Sequence, residues 1–105
     1  MKNQKEILYK AIKSHSQFSP NQQKILSILL DLEVNGEVIA SVADIQEISK
    51  ITKSTISTSI AFLNKYGVIS NTNVNGKKFT GCRFNQEKLE EIVAYYNKKQ
   101  NLVQK

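Results

Sequence analysis

The sequence is poor in several residue types that define common classes of small proteins. It contains one cysteine, one histidine, one proline and no tryptophan in 105 residues. A single cysteine excludes an internal disulfide framework and indicates a reducing compartment. One histidine and one cysteine also argue against a transition-metal site.

Long apolar runs and catalytic motifs are missing as well. No stretch is apolar enough to span a membrane, and the first residues lack the apolar core of a signal peptide. We therefore expect a cytoplasmic protein. There is no nucleophile elbow and no glycine-rich phosphate loop, and His15 and Cys82 lie far apart in the sequence. These absences predict a protein without enzymatic activity, metal or cofactor. We expect His15 to be partly buried or capping beside Phe18, and Cys82 to be a small inward-facing strand residue.

Acidic residues are absent from one third of the chain. Between residues 50 and 84 there is no Asp or Glu, whereas the same segment holds six basic residues: Lys50, Lys53, Lys65, Lys77, Lys78 and Arg83. The net charge of +6 comes entirely from this segment, because the remaining nine basic and nine acidic residues cancel. Such segregation favours a polyanionic partner, and nucleic acid first among them. A membrane surface is the lesser alternative because the segment leaves no large apolar face free to insert.

The centre of this segment has the pattern of a helix that starts at Thr52 and stops at Gly67. Ile56, Ile60 and Leu63 fall at helical spacing and predict one buried stripe. Five hydroxyl residues lie within seven positions, although they are poor helix formers: Ser54, Thr55, Ser57, Thr58 and Ser59. Short polar side chains let a helix approach a DNA groove, although we expect one or two of them to bond back to their own helix. The first two turns lack Arg, Asn and Gln, so strong bidentate base contacts are missing and sequence discrimination should be modest.

The residues before this helix predict two longer helices and a helix-turn-helix unit. We expect helices over residues 3–16 and from Pro20 to about Val34, the second capped by Ser19 and ended by Asn35-Gly36. A brief strand over 37–40 and a short helix from Ser41 should follow, with Ile45 and Ile48 facing inward. The short helix, a turn containing Ile51 and the helix from Thr52 form the helix-turn-helix, about residues 42–66.

After Gly67 the side-chain pattern changes to a period of two, which predicts a β-hairpin over about residues 68–84. Asn75-Gly76 is the pattern of a two-residue turn, which would place Val74 opposite Lys77, Thr72 opposite Phe79 and Ile69 opposite Cys82. In that register Ile69, Cys82 and Phe84 face the body, and Phe79 shares the other face with Thr72 and Val74. Val74 and Phe79 are too apolar for free exposure, so we expect them to pack on the body, on a partner subunit or on DNA sugars. A hairpin directly after a helix-turn-helix is a wing, and Asn73, Asn75, Lys77 and Lys78 at its tip could enter a minor groove or follow phosphates.

The last helix should run over about residues 86–100 behind Asn85, with Leu89, Ile92, Val93 and Tyr96 inward and Tyr95 not. The sequence therefore predicts one domain over residues 1–105, mainly α with a small β-hairpin (α+β): a winged helix-turn-helix with extra N- and C-terminal helices. We expect a homodimer, because a single protomer offers few lysine contacts. The first and last helices are the predicted dimer face, as they carry more apolar surface than a small core can hide: Ile7, Leu8, Ile12, Leu89, Ile92, Val93 and Tyr96.

The stretch ITKSTISTSIAFLNKYGVI resembles the recognition-helix-to-wing signature of winged helix-turn-helix proteins. The chain length, the long end helices and the absence of an effector domain resemble TubR, the centromere-binding adaptor of plasmid and phage partition. This resemblance implies dimers that coat repeated double-stranded DNA sites, present them to the tubulin-like GTPase TubZ and repress their own operon. It implies groove contacts from Lys53, Ser54, Thr55, Ser57 and Thr58 and wing contacts from Lys77 and Lys78. It also implies that recognition helices pair near the dimer axis, which competes with the end-helix dimer face.

The candidate DNA-binding residues are those of the turn, the helix and the hairpin: Lys50, Lys53, Ser54, Thr55, Ser57, Thr58, Lys65, Asn75, Lys77, Lys78 and Arg83. Three functions compete at this point. The first is a partition adaptor, the second is a small transcriptional regulator, and the third is a protein-interaction module with an incidental basic face. The charge segregation argues against the third.

Overall fold

The computed structural model describes residues 2–71 and 79–104, and the side chains of residues 5–71 and 79–100. The elements follow in the order α1 (Lys2–Ser14), α2 (Pro20–Leu32), β1 (Glu37–Ile39), α3 (Val42–Ser49), α4 (Lys53–Tyr66), β2 (Ile69–Asn71), β3 (Gly81–Phe84) and α5 (Gln86–Gln104). The predicted fold class, mainly helical with a small antiparallel sheet, is confirmed. None of the helices in the described part of the chain is long and apolar enough to cross a membrane.

Side-chain caps set where the central helices begin. The hydroxyls of Ser19 and Ser41 each accept a backbone N–H of the following turn, and the side chains of Gln22 and Asp44 accept the cap N–H in return. Thr52 caps α4 by accepting the N–H of Thr55. These three predicted starts are therefore confirmed, because each cap satisfies helix N–H groups that have no partner within the helix.

The Asn35-Gly36 pair does not end α2, which stops at Leu32. Instead it forms a tight turn in which Val34 and Glu37 exchange both backbone hydrogen bonds, at 2.8 and 3.0 Å. Both central residues have positive φ, +55° and +83°, as a type I′ turn requires. The turn reverses the chain into β1, so the pattern marks a hairpin here and not a helix end.

We expect Gly36→Ala to lower the free energy of unfolding by about 1 kcal/mol. A Cβ at this position would meet no atom within 4 Å, so the loss comes from the left-handed backbone conformation and not from a clash. Gly36→Asn should lose less, because asparagine tolerates that conformation. Urea unfolding of the three proteins measures the difference, and an alanine variant as stable as the parent would contradict this explanation.

The sheet has three antiparallel strands in the order β1-β3-β2. Ile69 lies opposite Phe84, and Cys82 lies opposite both Val38 of β1 and Asn71 of β2. The predicted pairing of Ile69 with Cys82 is therefore wrong by two residues. It assumed regular pairing up to a two-residue turn, whereas β3 is the central strand and its register must also suit β1. A shift of two keeps every side chain on its face, so the predicted inward positions of Ile69 and Cys82 are confirmed, and both are buried.

The predicted partners at the tip of the wing, Val74 with Lys77 and Thr72 with Phe79, include residues outside the described part of the chain, as does the Asn75-Gly76 turn. Phe79 itself is half-buried and packs against the core, so of the three contacts predicted for it the structure shows packing on the body. Phe79 and Thr80 belong to no strand, and the N–H of Ala40, just after β1, donates to the carbonyl of Thr80. Strand alternation therefore does not extend to Phe79.

The core joins all five helices to one face of the sheet. In α3, Ile45 is fully buried as predicted, but Ile48 is 52% exposed, which contradicts its predicted inward position. The inner face of α3 continues through Ser49, four residues after Ile45. Ser49 is buried because its hydroxyl accepts the N–H of Ile51 and so holds the turn that follows. Ile48, three residues after Ile45, lies beside that face and is therefore partly exposed.

The first and last helices pack on each other within the protomer. Ile12 of α1 and Leu89 and Ile92 of α5 lie in the same buried core, so they cannot form a dimer face as predicted. Of the seven residues named for that face, Ile7 is the one that is exposed, at 38%. Ile12, Leu89 and Ile92 are therefore excluded from that face because each helix covers the other, and the homodimer itself stays a prediction.

Candidate nucleic-acid interface

The short connection between α3 and α4 leaves the N-terminal end of α4 exposed to solvent. Lys50 ends α3 in the left-handed conformation, with φ of +63°, and its N–H donates to the carbonyl of Gln46. The half-buried Ile51 packs against the core and fixes the turn from inside. Thr52 then caps α4. Lys50 therefore ends α3, Ile51 packs the turn against the core, and Thr52 begins α4.

Helix α4 has a buried side and an exposed side, and small residues cover the exposed side. Ile56, Ile60 and Leu63 are buried as predicted. The opposite face is formed by residues at positions i, i+4, i+7 and i+11, all exposed: Ser54, Thr58, Ala61 and Lys65. Ser57 lies beside them and is also exposed. No long side chain interrupts this face before Lys65, so the backbone could approach the floor of a groove closely.

The five hydroxyl residues of α4 divide into three groups. Ser54, Ser57 and Thr58 are exposed, Thr55 is half-buried, and Ser59 is buried. The hydroxyl of Thr58 donates to the carbonyl of Ser54 at 2.8 Å, and the hydroxyl of Thr55 accepts from that of Thr52 at 3.0 Å. Ser54 and Ser57 therefore have the greatest capacity for new hydrogen bonds in a groove.

The cations of this unit lie at both ends of the exposed face. Lys50 and Lys53 precede it and Lys65 follows it, about 18 Å further along the axis of α4 from Lys53. All three side chains are exposed, and none forms an ion pair with another residue that the structure describes. Three unpaired lysines spread over this length suit a partner with regularly spaced negative charges.

Arg83 is placed differently from these lysines. It lies on the outer face of β3, where its guanidinium contacts the carboxylate of Glu37 on β1 at 2.6 Å. Glu37 is outside the segment that lacks acidic residues, but strand pairing brings it directly opposite Arg83. The charge of Arg83 is therefore balanced within the protein, unlike the charges of the three lysines.

Three predicted site residues, Asn75, Lys77 and Lys78, lie outside the described residues. The base of the wing is described, and it is attached to α4 in two ways. The N–H of Asn71 donates to the side chain of Asn64 at 3.4 Å, and Gly67, with φ of +97°, joins α4 to β2. The position of β2 is thus tied to the helix that precedes it.

Sequence reasoning missed Ala61 and Asn64 as members of this surface. Ala61 is exposed between Thr58 and Lys65, and Asn64 is exposed at the junction with β2. The signal was present, because Ala61 follows Ser54 by seven residues and so shares its face. The prediction concentrated on hydroxyl groups and gave no weight to a small apolar residue.

Comparison with known proteins supports the architecture. No protein-family model matches the chain, and no curated protein matches it. Among solved structures, the chain is similar to a transcriptional regulator homologue protein from Pyrococcus horikoshii OT3. The two are 19% identical, the match covers 94% of this chain and 95% of the other, and the TM-score is 0.58. The chain has the winged helix-turn-helix fold. The likeness spans the end helices as well as the winged unit, and at this identity it is a likeness of fold.

Proposed function

We propose that this chain binds double-stranded DNA as a homodimer and regulates transcription, with the N-terminal half of α4 in the major groove. The observation that carries the proposal is the exposed face of α4. It is small and hydroxyl-rich, and unpaired lysines flank it at both ends. The N-terminal turn of a helix also presents N–H groups and the positive end of its dipole, which favour phosphate. The solved structure of similar fold is described as a transcriptional regulator homologue, which is consistent with this role.

A second candidate, a partition adaptor of the TubR type, is favoured by one observation. The exposed face of α4 offers serine, threonine and alanine, and none of these forms the bidentate contacts that discriminate strongly between bases. Weak discrimination at each site is compensated when many copies bind side by side on repeated DNA. Such a protein would present the coated DNA to a tubulin-like filament protein, whereas a regulator would act as single dimers on single sites.

A salt series tests DNA binding itself. Two protomers carry six lysines on α4 and the turn before it that have no ion-pair partner in the described part of the chain, and the wing lysines would add to them. We therefore expect log affinity for a duplex to fall with log salt concentration with a slope of roughly −5 to −8. Fluorescence anisotropy with a labelled duplex between about 50 and 200 mM salt measures it. A response independent of salt would reject both DNA-binding candidates.

The number of copies bound separates the two candidates. A duplex with one selected site and a duplex with several copies of that site are compared by analytical ultracentrifugation. Independent dimers should bind each copy with the same affinity. An adaptor should bind the repeated duplex cooperatively, with affinity per site rising with the number of repeats.

A further inference from the structure

The end of α4 away from the turn is held by a histidine from outside the winged unit. His15 lies in the connection between α1 and α2 and is 93% buried, since its exposed fraction is 7%. Its Nε2 lies 2.8 Å from the hydroxyl oxygen of Tyr66, the last residue of α4. One hydrogen bond thus connects the α1–α2 junction directly to the DNA-facing helix.

Aromatic rings enclose this imidazole. The ring centroid of Phe18 lies 4.8 Å from that of His15. The ring of Tyr95, from α5, meets the imidazole edge-on with 5.6 Å between centroids. The ring centroids of Tyr66 and Phe18 are 5.1 Å apart, so the cluster joins the α1–α2 connection to α4 and α5. The predicted burial of His15 beside Phe18 is confirmed, and its burial has a partner in the recognition helix that the sequence did not indicate.

The surroundings of His15 favour its neutral form. Its Nδ1 is buried and has no hydrogen-bond partner among the described residues. Burial, followed by repulsion from Lys99 of α5, lowers the pKa of His15 below its usual range. Burial also raises the pKa of Tyr66, so the phenol keeps its proton at neutral pH.

The other charged groups around the cluster offer the imidazolium little compensation. Lys88 of α5 lies over the ring of Tyr66, with its Nζ 5.1 Å from the centroid. Glu91 lines a surface cleft together with His15 and Tyr66. Its Oε1 lies 3.5 Å from the Nζ of Lys88, so its carboxylate is already paired. The neighbouring groups from the α1–α2 connection and from α2, Ser16, Gln17 and Gln23, are uncharged.

We propose that His15 and Tyr66 are positioning residues that hold α4 in its DNA-binding orientation, and that protonation of His15 releases this hold and weakens DNA binding. The inference rests on the proposed DNA-binding function. It goes further by naming residues remote from the exposed face of α4 and a solution condition that acts through them.

The physical reason is the second N–H of the imidazolium. In the neutral tautomer that is protonated at Nε2, this N–H donates to the Tyr66 hydroxyl, and Nδ1 carries only a lone pair, which needs no acceptor. In the charged ring, both nitrogens carry a proton, and the N–H at Nδ1 has no acceptor among the described residues while Lys99 repels the charge. Protonation is therefore favoured when His15 leaves the cluster for water. Tyr66 then loses its partner, and the end of α4 loses its hydrogen bond to the α1–α2 connection.

The direction of the pH effect follows from the lowered pKa. A histidine whose pKa in the folded protein lies below the unfolded value of about 6.5 stabilises the closed cluster fully above that pH. The stabilisation declines as the pH falls below 6.5 towards the pKa in the folded protein. Simple electrostatics predicts the opposite for DNA, because an added positive charge would strengthen binding to phosphate. The sign of the pH dependence therefore distinguishes positioning from charge.

The experiment measures affinity for one duplex from pH 7.5 to 5.5 at constant ionic strength. Wild type should weaken by about tenfold over this range, within the limit of tenfold per pH unit for one linked proton. His15→Gln, whose amide can still meet the Tyr66 hydroxyl but does not titrate, should bind like wild type at pH 7.5 and lose the pH dependence. Tyr66→Phe should be weaker already at pH 7.5, by about threefold to tenfold, the loss of one hydrogen bond. Tyr95→Phe is the matched control, because it keeps the ring packed on His15 and should behave like wild type.

Three results would overturn the inference: a flat or rising wild-type affinity at low pH, an unchanged pH profile in His15→Gln, or wild-type affinity in Tyr66→Phe. Failure of wild type to bind DNA at any pH would instead reject the proposed function. The positioning step can still be decided without DNA. In ¹H–¹⁵N spectra, the amides of Tyr66 and Gly67 should shift with the titration of His15 in wild type and not in His15→Gln, and amides that do not move would end the proposal.

Discussion

Replacing Lys53 with glutamate is expected to weaken duplex DNA binding by about one hundredfold. Lys53 is the first residue of α4, exposed and without an ion-pair partner in the described part of the chain. In a dimer the substitution removes two cations and adds two anions where phosphate is expected. The slope of the salt dependence should also become shallower, because fewer counterions are released.

The matched control is Lys24→Glu, the same substitution at an exposed lysine of α2. Lys24 lies outside the segment that lacks acidic residues, so its loss should change affinity by less than about threefold. The Lys53→Glu protein should remain folded, since a carboxylate in the first turn interacts favourably with the helix dipole. Equal losses for the two variants would show that binding depends on net charge and not on α4.

A second large effect is expected from Ile45→Ala, which should lower the free energy of unfolding by about 2–5 kcal/mol. Ile45 is fully buried between α3 and its neighbours, and α3 packs on both α2 and α4. Truncation leaves a cavity at the point where the helix-turn-helix is held together. Because the orientation of α4 depends on this packing, DNA affinity should fall as stability falls.

Ile48→Ala provides the comparison on the same helix. Ile48 is 52% exposed, so the substitution should change the free energy of unfolding by less than about 1 kcal/mol. The higher helix propensity of alanine acts in the opposite direction to the lost contacts. Urea unfolding of both variants is sufficient. Similar losses would mean that Ile48 is buried in solution, as the sequence had suggested.

The success and failure of the sequence predictions follow from how local each signal is. The caps at Ser19, Ser41 and Thr52 and the stripe of α4 depend on residues within two turns, and all were predicted correctly. The position of Ile48 depended on which neighbour α3 would meet, and that information lies elsewhere in the chain. A spacing of three residues is compatible with either side of a helical stripe, so periodicity could not decide it.

Predictions across strands failed for a related reason. The register of β3 was derived from the turn that joins it to β2, but β1 also pairs with β3 and shares in setting it. No residue in β3 indicates from its type that this strand is the central one of the sheet. The inward faces were still correct, because alternation along a strand is insensitive to a shift of two residues.

The charge pattern indicates where cations are concentrated along the chain but not which of them the fold pairs with a carboxylate. Lys50, Lys53 and Lys65 are exposed on one helical unit, as expected for a surface that binds a polyanion. Arg83 belonged to the same sequence segment, yet the fold brings Glu37 against it. Absence of acidic residues along the chain does not imply their absence in space, because strand pairing joins residues that are distant in sequence.

The contact between α1 and α5 has a consequence for how the molecule folds. Ile12 and Ile92 share one core although most of the sequence lies between them. The helix-turn-helix can assemble from neighbouring segments. The contact between α1 and α5, in contrast, forms only when the longest loop in the structure closes. Contacts of such high sequence separation slow folding more than they change stability. During synthesis α1 can therefore pack on α2 as soon as that helix has emerged, but it lacks its contact with α5 until α5 has emerged.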